Sequence, residues 1–172
     1  FEDVAIECRR RADERKIKPI IISKKEAPCK ENVLTRNKID LLRFPILKHH
    51  GMDPGPYITA GMLTCYDPDT GIDNTAIHRG YVAGSREIRS LLTPFTHAAL
   101  NLKKYEERGE VMKVAYWIGH HPAVLMGAQT RMAYPSSHYG AAGGLAEEPL
   151  RLVPSETLGE DFLVPADAEI II

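Results

Sequence analysis

Between Asn74 and His97 the chain reads NTAIHRGYVAGSREIRSLLTPFTH and gathers a carboxamide (Asn74), two imidazoles (His78, His97) and a guanidinium (Arg79). Imidazole nitrogens and amide oxygens are metal donors. A guanidinium stays charged and offers a planar fork to a carboxylate or phosphate. Ile77, Tyr81 and Val82 are interleaved with these groups and give the stretch strand character. This leaves two readings. The polar residues are the solvent face of a half-exposed sheet, or the strand presents Arg79 to an anionic ligand while Asn74 and His97 hold a metal.

The remaining chemistry-bearing residues form no familiar signature. Seven histidines fall at 49, 50, 78, 97, 120, 121 and 138, with no HExxH and no pair four apart on one helix face. Neighbours such as His120 and His121 point in different directions. There is no P-loop, GxGxxG or GxSxG, and the glycines of 140–144 lack the Lys-Ser/Thr of a phosphate cradle.

The elements that must position these groups are legible in outline. Residues 3–15 carry Val4, Ala5, Cys8 and Ala12 at helical spacing opposite a charged face. Ile20, Ile21 and Ile22 form a short apolar run typical of a buried strand. Helix then strand suggests the closing edge of an α/β unit, with a polar linker after it and a boundary near residue 30. Tyr57–Cys65 reads as one strand, DPDTG (67–71) as a turn, and Asn74–Val82 as the returning strand of an antiparallel hairpin. Gly84 and Ser85 turn the chain into a third strand, REIRSLL. Short-turn strands of this kind indicate a barrel or sandwich and not a parallel sheet. Pro94–Glu107 fits a helix ended by Gly109, and 111–118 fits a strand. A short helix runs from the Gly119–Pro122 group through Gln129. Residues 131–144, rich in Ser, Gly, Ala, Tyr and Pro, read as a loop. A final β region covers 150–153, 162–164 and 169–172. Strict alternation puts Asn74 and Arg79 on opposite strand faces, so both reach one ligand only if the strand is interrupted or Asn74 precedes it.

Bulk properties bound the function. The 172 residues carry 22 basic and 23 acidic side chains, a balance that speaks against a nucleic-acid-binding surface. Three widely spaced cysteines (Cys8, Cys29, Cys65) give neither a disulfide framework nor a zinc knuckle and point to a reducing, cytoplasmic setting. No apolar run approaches the roughly 20 residues that span a bilayer. The charged first fifteen residues lack the apolar core of a signal peptide. The sequence opens on Phe1 in helical pattern and stops at Ile172 in an apolar run, which reads as a segment of a longer protein.

The ordered pieces GPYITAG (55–61), DPDTG (67–71), N-x-x-I-x-R (74–79), His97, IGHHPAVL (118–125), AAGGLAEEPLRLVPSET (141–157) and VPADAEIII (164–172) together resemble the central part of the UbiD-type decarboxylases. The resemblance covers roughly residues 26–172. It implies an α+β, mostly β fold: a split β-barrel of the FMN-binding type over 31–172. Residues 1–30 would be the tail of an N-terminal α/β domain, and a C-terminal domain would lie outside the sequence. It implies prenylated FMN, with its phosphate held through Mn2+ (or Mg2+) and K+, and reversible decarboxylation of an aromatic or α,β-unsaturated acid. Asn74 and His97 match metal ligands of the family. The third family ligand, a glutamate, falls on His138; this is a departure, and His138 either ligates the ion or meets the phosphate directly. Arg79 matches the catalytic arginine near the substrate carboxylate. Thr59, Ala76, Ile77, His78, Arg79 and Thr96 match positions around the flavin, with Ala128, Gln129 and Arg131 along its dimethylbenzene or phosphate side. The family's glutamate proton donor follows the last matched segment, so the chain by itself is expected to be inactive. The resemblance further implies a homo-oligomer, and a partner enzyme that makes the prenylated flavin. Two alternatives stay open: a flavin-binding module without chemistry of its own, and an unrelated metal-dependent hydrolase built on the histidines.

Overall fold

The computed structural model describes all 172 residues, in ten strands and four α-helices. Helix α1 (Glu2–Arg9) runs on into a π-helical turn (Arg10–Glu14), and β1 (Ile20–Ile21) follows. Short 3-10 turns occupy much of residues 24–43. The site-bearing half contains β2 (Tyr57–Ile58), β3 (Met62–Tyr66), β4 (Asp73–Ile77), β5 (Gly80–Gly84) and β6 (Glu87–Ser90). Next come α2 (His97–Glu107), β7 (Ala115–Ile118), α3 (Pro122–Ala128) and α4 (His138–Ala146). The chain closes with β8 (Arg151–Ser155), β9 (Gly159–Pro165) and β10 (Ile170–Ile171).

The strands form three sheets and no closed barrel: β10-β7-β3-β4, β2-β5-β6 and β1-β8-β9. The β3–β4 hairpin is antiparallel, as the turn chemistry of 67–71 implies, and pairs Cys65 with Asn74. Its neighbours correct the reading of two long strands. Residues 57–65 break at 59–61 and residues 74–82 break at His78–Arg79, and at each break the chain crosses from one sheet to another. Gly61 sits at the first corner, where a Cβ would lie 2.8 Å from both Ile58 Cγ2 and Tyr116 Cδ1. Gly80 sits at the second, with Ile88 Cγ2 at 2.8 Å from the same position. Only residues without a side chain let the sheets approach this closely. The break also removes the conflict of faces, because Arg79 lies in the break and outside the strand that carries Asn74.

The second correction concerns 131–144, which contains α4 and is no simple loop. Ser137 caps it, its hydroxyl accepting from Gly140 N at 2.9 Å, and every residue from His138 to Gly144 is buried. The small residues that suggest a loop are what admits this helix to the interior. A Cβ on Gly127 of α3 would lie 2.5 Å from Ala142 Cα, and one on Gly144 would run into the Arg11 carbonyl. Trp117, Met62, Tyr139, Val124, Leu150 and Leu152 are the larger members of the core cluster around α3 and α4. Strand content in 111–118 is confined to its second half, 115–118.

Candidate cofactor and metal site

The hairpin, the sheet-switching corner and two helix N-termini converge on one cavity of about 810 Å³. That is within the roughly 300–1,000 Å³ of small-molecule and cofactor sites. Asn74, Ala76, Ile77, His78, Arg79, Thr59, Thr96, His97, Gln129, Arg131 and His138 all line it. Ala128 does not; it is fully buried in the core beside Trp117 and Val124. The wall also includes Thr75, Leu91, Thr93, Phe95, Ala98, Thr130 and Met132, none of which the sequence singles out. Leu91 and Phe95 are exposed, and Phe95 sits at φ 70, a left-handed backbone that bulky residues rarely adopt.

His97 and His138 are the first residues of α2 and α4, and their ring centroids lie 5.9 Å apart. Thr96 caps α2, its hydroxyl accepting from Ala99 N at 3.3 Å. The positive ends of two helix dipoles thus face one corner of the cavity, which favours an anion there. Asn74 is held by its amide nitrogen, which donates to Cys65 Sγ at 3.8 Å; Asn101 donates to the same sulfur at 3.5 Å. That leaves the Asn74 carboxamide oxygen for a ligand.

Asp73 is the part of this corner that the sequence does not reveal. In DPDTGID it looks like another turn residue, yet it is buried. Its Oδ1 accepts from Ser137 Oγ at 2.6 Å and its Oδ2 from Tyr139 N at 2.8 Å. These bonds fasten the first turn of α4, and with it His138, to the strand that carries Asn74. Burial pushes the Asp73 carboxyl upward, while the Ser137 hydroxyl and the helix amides pull it back. His138 is 5% exposed and its Nδ1 finds no hydrogen-bond partner. Burial, with His97 beside it, holds the ring's pKa down to about 4, which contacts with the Asp73 and Ser136 backbones only partly offset. The imidazole is therefore neutral, the state in which it coordinates a metal. His78 is buried too, its Nε2 likewise without a partner, and burial lowers its pKa.

On the same wall, Arg79 and Arg131 are exposed and enter no ion pair, and no carboxylate lines it. Gln129 joins the wall to β4, its Oε1 accepting from Ile77 N at 2.6 Å. No three His, Cys, Asp or Glu side chains approach closely enough to hold a metal by themselves, so the histidine-based hydrolase has no constellation to rest on. No helix is long and apolar enough to cross a membrane.

The chain is similar to several known proteins. The model of the family described as UbiD, the 3-octaprenyl-4-hydroxybenzoate carboxy-lyase Rift-related domain, matches residues 20–172. An anhydromevalonate phosphate decarboxylase of Methanothermobacter thermautotrophicus is 41% identical over 135 residues, covering 78% of this chain and 31% of the relative. The UbiD-class enzyme HmfF from Pelotomaculum thermopropionicum, solved in complex with FMN, superposes with a TM-score of 0.90 at 39% identity. The match covers 97% of this chain and 37% of that one. The vanillic acid decarboxylase of Sedimentibacter hydroxybenzoicus in its closed form also gives 0.90, at 26% identity, over 100% of this chain and 37% of its own. The chain thus spans well under half the length of the relatives it matches, 31% of the first and 37% of the two structures. With a family model over most of its length and the same fold as enzymes of that class, the chain belongs to the UbiD carboxy-lyase family.

Proposed function

We propose that this chain is the cofactor-holding part of a prenylated-FMN-dependent carboxy-lyase acting reversibly on an aromatic or α,β-unsaturated carboxylic acid. The observation that carries this is the composition of the cavity wall. Asn74, His97 and His138 share that wall with two unpaired guanidiniums, Arg79 and Arg131, and with no acid. Such a wall suits a ligand with more than one anionic group. In this reading the two sheets that exchange strands at Gly61 and Gly80 are the halves of a flavin-binding split barrel.

The residues present fit a flavin phosphate held through a divalent ion. The unpartnered Nδ1 of buried His138 and the anchored carboxamide of Asn74 are what a metal corner requires. Asn74, His97 and His138 would hold a divalent ion, with K+ beside it, and through it the flavin phosphate. Thr59, Ala76, Ile77, His78, Thr96 and Gln129 would flank the ring system, and Arg131 would face its outer edge. When bound, prenylated FMN supplies the electron sink for loss of carbon dioxide. Arg79 receives the substrate carboxylate in its fork and fixes the bond to be broken relative to the flavin. A carboxylic acid that protonates the product carbon is not on this wall and would come from outside it. The reading includes assembly with further copies and a partner enzyme that makes the cofactor.

Replacing Arg79 by Ala in the full-length, cofactor-loaded protein tests the assignment. Decarboxylation should fall by about a hundredfold or more, while the bound flavin's absorption spectrum stays as it was. Undiminished turnover would remove Arg79 from its role and favour a flavin-binding module without chemistry.

A further inference from the structure

The donor set of the metal corner bears on which ion it takes, an inference that rests on the metal reading proposed above. Three protein groups converge there, and all are neutral: the Asn74 carboxamide, His97 and His138. Two carboxylates lie nearby, and both are committed elsewhere: Asp73 accepts from Ser137 and Tyr139 at the start of α4, and Asp67 from Lys104, Asp69 N and Thr70. No other acid lines the cavity. An ion held here is therefore bound by two imidazoles and one amide oxygen, with no charge supplied by the protein. The geometry is compatible with sharing. Imidazoles bound to one ion at about 2.1 Å have ring centroids roughly 5 Å apart, and those of His97 and His138 stand 5.9 Å apart before any ion draws them in.

Hard ions such as Mn2+ and Mg2+ take carboxylates, carbonyls and water, whereas imidazoles favour Fe2+, Co2+, Ni2+ and Zn2+. We propose that the Asn74–His97–His138 corner is a nitrogen-dominated site that selects a late first-row dication over Mn2+ or Mg2+, with His138 setting that preference. The ion keeps its full double charge against the protein donors, so an anionic oxygen group must balance it. This ties occupancy of the corner to a phosphate more strongly than a carboxylate-bearing site would.

Any nitrogen or oxygen site binds Co2+ more tightly than Mn2+, so the test is a change in the ratio and not the ratio alone. The chelator-stripped protein is titrated with CoCl2, followed by its visible ligand-field bands, and with MnCl2, followed by loss of the free-ion electron paramagnetic resonance signal. Each titration is run with and without inorganic phosphate. The wild type should prefer Co2+ by about a hundredfold or more, with phosphate tightening both ions. His138→Glu should restore about tenfold or more of Mn2+ affinity, weaken Co2+, and lessen the phosphate dependence. His138→Gln, which keeps about the same volume but replaces the imidazole nitrogen with an uncharged amide oxygen, should weaken Co2+ and give Mn2+ none of the gain of a carboxylate; its circular dichroism establishes that α4 persists. If His138→Glu and His138→Gln leave both affinities within twofold while Asn74→Ala and His97→Ala abolish binding, the corner binds metal and the inference falls. If none of the four variants changes binding, or the wild type binds neither ion at millimolar concentration, the metal reading itself falls and takes the inference with it.

Discussion

Asp67 shows how much of this site is held from behind. Its side chain is almost fully buried, yet it is charged, and it ties the β3–β4 turn to the helix that presents His97. Lys104 of α2 donates to Asp67 Oδ1 at 2.8 Å and pairs with Asp69 at the same distance. Asp69 N and Thr70 Oγ1 donate to the Asp67 carboxylate as well, and Arg108 closes on Asp69. Burial works to raise the Asp67 pKa, but Lys104 and these donors outweigh it and the carboxyl is lowered. A carboxyl with a depressed folded pKa stabilises the fold above its unfolded value near 3.9, and that contribution is lost as pH falls through the folded one. Asp67→Asn should therefore destabilise the protein in urea unfolding at neutral pH. The gap to wild type should shrink steadily below about pH 4, as the native carboxyl protonates. A gap independent of pH would mean that the side chain matters for its shape and not its charge. The same logic separates what residue types reveal from what they hide. Asn74, Arg79 and His97 announce themselves by chemistry, whereas Asp67 and Asp73 look like ordinary turn acids. Their importance lies in burial, which depends on chain segments that meet them from far away.

The packing of α3 against α4 decides whether His138 reaches the site at all. The crossing is close because Gly127 faces the Ala142 backbone, and any side chain at 127 meets main chain that cannot rotate away. Gly127→Ala should gain about 1 kcal/mol of helix propensity but lose more to the clash, for a net destabilisation on the order of 1–3 kcal/mol in urea unfolding. Gly84→Ala, where an added Cβ meets nothing within 4 Å, is the matched control and should be nearly silent. Equal effects at the two positions would show that close approach is not what 127 provides. The same glycines explain why α4 is illegible in the sequence. Gly140, Gly143 and Gly144 lower helix propensity and resemble a loop, and the gain that offsets them is burial, which no local rule records. The readable trace was Ser137 ahead of Ala141, Ala142, Leu145 and Ala146, a capping residue before strong helix formers. The split strands were half legible for a similar reason. The hairpin follows from its turn, but the corners at Gly61 and Gly80 follow from contacts with Ile58, Tyr116 and Ile88 elsewhere in the fold.

At the scale of the whole molecule, the cavity unites elements that are remote in sequence: a hairpin, a corner between sheets, two helix N-termini and the turn after α3. Its electrostatic sense is uniform, with two free guanidiniums, two inward helix dipoles and no acid on the wall. That sense was legible only in part. Near-neutral net charge hides it, because the balancing acids lie outside the cavity wall. The central claim is that the Asn74–His97–His138 corner receives the phosphate of a flavin. Titrating the protein with FMN and with riboflavin, which lacks only the phosphate, in the presence of a divalent metal and with flavin fluorescence as the readout, addresses this directly. FMN should bind about a hundredfold tighter than riboflavin, and Asn74→Ala should remove most of that difference while leaving riboflavin unchanged. Equal affinity for the two flavins, or a preference for FMN that survives Asn74→Ala, would contradict the placement of the phosphate at this corner.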